Sequence, residues 1–196
     1  MAIWGTLIGT AAGLLLGGCA SVRVVESEVQ TFSTLGAPPA QATFRFERLP
    51  SQQTQDKRQG DLERIAEQAL LQVGLRRDDT NAHYNVQLGV RVDREDRVDW
   101  NDVWWYGSGF PGWRFGHMSR WPSSPWAHTT PWFQREISLV LRDNGTGQVV
   151  YETHAAEEGS WSDTLTLLPA IFSAALTDFP AGTQGMRTRK VELPTQ

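Results

Sequence analysis

Glu136-Ile137-Ser138-Leu139-Val140-Leu141-Arg142-Asp143-Asn144-Gly145-Thr146-Gly147-Gln148-Val149-Val150-Tyr151-Glu152-Thr153 reads as two β-rich runs flanking a polar, glycine-containing turn. Asn-Gly between apolar runs is the strongest short-range hairpin signal, because both residues tolerate the left-handed backbone that twist-matched turns use. Upstream, Tyr84, Val86, Leu88, Val90 and Val92 alternate with Asn85, Gln87, Gly89, Arg91 and Asp93. That period of two predicts another strand, buried on one face and wet on the other, in an antiparallel sheet.

The flanking segments supply the rest of the layer. Residues 22–32 are rich in β-branched types and predict a first strand, which Gly36-Ala37-Pro38-Pro39 then breaks. Thr43-Phe44-Arg45-Phe46-Glu47 alternates strictly and places Phe44 and Phe46 on the core face. From Asp61 to Val73, Leu62, Ile65, Ala66, Ala69, Leu70 and Val73 form one apolar helical stripe, with Gly74 at the C-cap. Leu167, Leu168, Ile171, Phe172, Ala175, Leu176 and Phe179 outline a second helix, with Pro169 expected in its first turn and Pro180 as its stop. Arg187, Arg189 and Lys190 sit in a tail that reads as solvated. The expected fold is α+β: an antiparallel sheet of about five strands, two helices on one face, and a long Trp/Gly/Pro-rich loop insertion.

The single cysteine lies at the end of an uncharged apolar run, Leu16-Gly17-Gly18-Cys19, which resembles a bacterial lipobox. A signal peptide has such an apolar region ending in small residues. The resemblance implies that residues 1–18 are removed and that Cys19 becomes a lipidated N-terminus, carrying a diacylglyceryl thioether and a further acyl chain. Three chains exceed the two signals that stable anchoring needs. Ala20, rather than Asp, after the cysteine implies sorting to the outer membrane, with the inner membrane as the alternative. The competing reading is a retained membrane anchor, in which Gly5, Gly9, Gly13 and Gly17 repeat at a helix-packing spacing. At roughly 1.5 Å per residue that helix would be a little short of a ~30 Å hydrocarbon core.

Residues 100–132 hold seven of the nine tryptophans: Trp100, Trp104, Trp105, Trp113, Trp121, Trp126 and Trp132. Glycines and prolines break every period there, so the segment is expected as a loop between two core strands. Indole rings suit protein hot spots, membrane interfaces and sugar faces, which makes these tryptophans the candidate contacts to an envelope protein, lipid or glycan. The alternative is a loop collapsed on its own rings.

Other chemistry finds little support. A net charge of −4, with 22 acidic against 18 basic residues, argues against nucleic acid as a partner. His83, His117, His128 and His154 show no close pair, so no metal site or cofactor is expected. Glu157-Glu158 and Asp93-Arg94-Glu95-Asp96 read as solvated charge rather than as glycosidase carboxylates.

Taken in order, the lipobox, the Phe-Arg-Phe strand with Leu49-Pro50, the Gly74-Leu75 helix exit, the Arg-Asp-Asn-Gly-Thr-Gly hairpin and the closing Phe179-Pro180 resemble the bacterial envelope lipoprotein family catalogued as domain of unknown function 4136. The resemblance covers roughly residues 22–180 outside the insertion. It implies an envelope lipoprotein and supplies no catalytic residue. The expected organisation is a signal peptide at 1–18, a lipidated N-terminus with first strand and linker at 19–41, the α+β domain at 42–180 and a C-terminal tail at 181–196. The expected function is a non-enzymatic envelope interaction or structural module on the periplasmic side of the outer membrane; the alternative is a protein that binds or hydrolyses envelope glycan or peptidoglycan.

Overall fold

The computed structural model describes residues 23–38, 41–98 and 129–193. Among them seven strands form one sheet: β1 (Arg23–Ser33), β2 (Thr43–Phe46), β3 (Arg76–Arg77), β4 (Tyr84–Val98), β5 (Thr129–Asp143), β6 (Val149–Gly159) and β7 (Arg187–Leu193). Their spatial order is β3-β2-β4-β5-β6-β1-β7. Three helices accompany them, α1 (Pro50–Gln53), α2 (Asp56–Gln72) and α3 (Thr164–Leu176).

The fold is α+β, but the expected all-antiparallel sheet of about five strands with two helices is wrong. The sheet is mixed, because β2 runs parallel to both β3 and β4. Parallel neighbours need a long crossover, and α1 with α2 supply it. β3 is two residues long, too short to show any alternation. The supposedly solvated tail contains β7, which pairs antiparallel along β1 and brings Val191 opposite Val25. Its Arg189 gives both carboxylate oxygens of Asp178 a hydrogen bond at 2.7 Å, tying the strand to the end of α3. Cations on such an edge also discourage further strand pairing.

One face of the sheet carries the core. Phe44, Val86, Leu88, Ile137, Leu139, Leu141 and Tyr151 pack beneath Leu62, Ala66 and Leu70 of α2 and Leu168, Ile171 and Phe172 of α3. Phe44 is fully buried and Phe46 half-buried, their rings edge to face at 5.3 Å. Burial pushes the Tyr151 phenol up to about 12.

α2 starts at Asp56, five residues before the apolar stripe becomes visible. Arg48 ties this polar start to the body of the helix: it meets the exposed Asp56 at 2.5 Å and, two turns on, the buried Glu63 through two bonds of 2.7 and 2.9 Å. The helix ends at Gly74 with φ +90°, where Leu75 N–H donates to Leu70 O at 3.0 Å. Only glycine reaches this left-handed conformation without strain. In α3, Pro169 is the sixth residue rather than part of the first turn. It lies on the exposed side, so water can solvate the carbonyl that loses its partner.

The hairpin between β5 and β6 forms as expected, by different means. Positive φ falls at Gly147 (+72°) and not at Asn144-Gly145. Asp143 organises the turn, its Oδ1 accepting the N–H of Gly145 at 2.9 Å and of Thr146 at 2.7 Å. These bonds, led by the Thr146 N–H, hold the Asp143 carboxyl below the usual carboxylate range.

Candidate functional site

Strand direction decides which parts of the chain share an end. β6 is antiparallel to both β1 and β5, and β5 is antiparallel to β4. Arg23 at the start of β1, Val98 at the end of β4, Thr129 at the start of β5 and Gly159 at the end of β6 therefore lie at one end of the sheet. The connections to residues 1–22 and to residues 99–128 are both made there. Val98 pairs directly with Thr129, so the β4–β5 ladder continues up to the base of the tryptophan-rich segment.

A buried ion pair braces this end. The Arg135 side chain has no solvent exposure, and its Nη1 donates to Glu157 Oε2 at 2.7 Å. Its Nε donates to Thr164 Oγ1 at 3.0 Å and its Nη2 to the carbonyl of Trp161. One guanidinium thus joins β5, β6, the loop that follows β6 and the first residue of α3. Asp163 caps α3 by accepting the N–H of Thr166, and the Thr166 hydroxyl helps hold its carboxyl below the usual range. On the other side of the loop, the Arg23 guanidinium stacks 3.4 Å above the Trp161 ring.

The open face carries a second cluster. Arg97 lies 4.5 Å above the Trp132 ring and 3.6 Å from Glu158, while Trp132 Nε1–H donates to Glu158 Oε2 at 3.3 Å. Neighbouring pairs, Arg91 with Asp93 and Arg94 with Asp96, are solvent-exposed at 2.8 and 3.1 Å. Such pairs contribute about 0–1 kcal/mol each, as expected for solvated charge.

Of the seven candidate tryptophans, only Trp132 lies in the described residues. It sits on β5, so the last four residues of the expected 100–132 loop are strand. Trp100, Trp104, Trp105, Trp113, Trp121 and Trp126 lie outside the described residues, as does Cys19. Glu158 is solvated as expected, but Glu157 is not: it is the buried partner of Arg135. The Arg135 network was missed although a signal existed. Arg135 occupies an inward position in the series Phe133, Arg135, Ile137, Leu139, Leu141, and a charge there demands a buried partner.

Among the described residues no three His, Cys, Asp or Glu side chains come together as metal ligands. No described helix is long and apolar enough to cross a membrane. What this end of the molecule offers is a charge-braced platform between two connections.

The fold and this platform define a helix-on-sheet module with a long insertion at one end. The chain belongs to the family described as domain of unknown function (DUF4136), which matches it over residues 30–181. No curated protein matches the chain. Its fold is similar to that of a PDZ domain protein from Parabacteroides distasonis, with TM-score 0.50, 12% identity and alignment over 88% of this chain. The alignment takes in 39% of that protein, so the chain spans well under half of its length. PelC dodecamer structures from Paraburkholderia phytofirmans align with TM-scores of 0.45 and 0.43, at 15% and 14% identity, over 77% of this chain and 95% of theirs.

Proposed function

We propose that this chain is a lipoprotein anchored through Cys19 in the outer membrane, on the periplasmic side. In this reading the α+β domain is a non-enzymatic interaction or structural module, and the tryptophan-rich insertion is its contact element. The observation that carries the reading is the shared end: the strand that follows Cys19 and the stem of the insertion both open at the same end of the sheet, one strand apart. A tether there holds the indole-rich segment near the bilayer surface, where amphipathic rings are favoured and envelope partners are within reach.

Two measurements test it. Mass spectrometry of the protein isolated from cells should find the chain beginning at Cys19 with added acyl mass, and Cys19→Ser should abolish both; a retained Met1 without acyl mass refutes the anchor. Photocrosslinking in intact cells from position 105 should capture a lipid, glycan or protein. Replacing Trp104, Trp105 and Trp113 by Ala should remove the captured species and leave the melting temperature unchanged. A fall in melting temperature instead makes the insertion part of the fold.

A further inference from the structure

A groove of about 540 Å³ opens between the first turns of α2 and α3, with β4 as its floor. Its size lies within the range of about 300–1,000 Å³ typical of small-molecule sites. The walls are apolar: Leu62 of α2, Leu165 and Leu168 of α3, and Val90 and Val92 of β4. Leu165 stands 61% exposed at the rim, the unused half of an otherwise buried helix seam.

The mouth carries an excess of positive charge. Lys57 and Arg58 line it, and neither forms an ion pair with any described residue. Asp61 also lines it, but its carboxylate is engaged by Arg64 at 3.3 Å. Two cations with no ion-pair partner among the described residues thus overhang an apolar trough. A neutral alkyl chain would leave both cations without a partner, and a sugar would find no polar floor to hydrogen-bond.

We propose that the groove binds a single-chain anionic amphiphile of the fatty-acid type. The alkyl chain lies along the half-buried Val90 and Val92 and covers Leu165, while the carboxylate reaches Lys57 and Arg58. Burying the chain supplies most of the affinity. The two cations set the head-group preference. Its described lining residues belong to α2, α3 and β4, and the proposal does not depend on the lipid anchor.

The test uses the full chain carrying Cys19→Ser, purified without detergent, and a dansyl-labelled medium-chain fatty acid as the fluorescent probe. Saturable binding is expected, with displacement by dodecanoate, weaker displacement by dodecanol and none by dodecyltrimethylammonium. Lys57→Glu with Arg58→Glu should weaken the probe about tenfold. Leu165→Asp should weaken it as well, with unchanged far-ultraviolet circular dichroism in every variant. Absence of saturable binding overturns the proposal. Equal displacement by all three amphiphiles, with the variants unaffected, also overturns it, because the probe is then bound outside this groove. Crosslinking that finds the groove filled by a second copy or a protein segment overturns it too.

Discussion

Removing either half of the Arg135–Glu157 pair should be the most damaging polar substitution in the described domain. Arg135 is 0% exposed and Glu157 9% exposed, so neither charge left alone can recruit bulk water. Breaking such a pair costs about 3–5 kcal/mol, because the remaining charge stays buried and uncompensated. Arg135 keeps Thr164 and the Trp161 carbonyl when Glu157 is lost, which places Glu157→Leu near the lower end. For a domain of this size about 3 kcal/mol lowers the melting temperature by roughly 6–12 °C. The double variant Arg135→Met/Glu157→Leu removes both charges, and apolar replacement of a buried pair is often neutral. It forfeits the bonds to Thr164 and Trp161, about 1 kcal/mol each, so it should lie about 2 kcal/mol below the parent and above either single variant. Urea unfolding of the four proteins closes the cycle. If the single losses add, or if either is below about 1 kcal/mol, the pair is not the buried brace described here.

Three further outcomes are expected. Asp143 binds its proton less readily folded than unfolded, so its contribution is present above the ordinary carboxylate value of about 3.9 and is lost as pH falls through the lower folded value; the Gly145 and Thr146 amide resonances should titrate below pH 3.9, and Asp143→Asn should abolish that step. Gly74→Ala forces a left-handed alanine at φ +90° and should cost about 1 kcal/mol in chemical denaturation, with the fold retained. Phe172→Ala empties a fully buried position of α3 and should cost about 3–5 kcal/mol, read as a lower denaturation midpoint at unchanged slope.

Elements that bury one clean face were legible in the sequence. Tyr84 to Val92 alternate because the helices cover one side of β4 and water the other, and Leu62 to Leu70 repeat because α2 lies on that covered side. What escaped reading was held by longer-range terms. The first turn of α2 has no apolar stripe and is fixed by Arg48 from outside the helix. β7 carries mostly charge and becomes a strand only because β1 offers it an edge. The parallel placement of β2 depends on where the α1–α2 crossover returns, which no local period encodes. At the candidate site, Trp132 was found by composition, whereas Arg135 and Glu157 required knowing which face of each strand points inward.

The shared end of the sheet also sets how the molecule would bear load. A pull between Arg23 and Thr129 runs crosswise from β1 through β6 to β5 instead of along the length of the core. Only two hydrogen-bonded ladders lie on that route, and the Arg135–Glu157 bridge spans one of them. The bridge is then a mechanical rivet, and stretching the protein between these two points should rupture first at whichever seam lacks it.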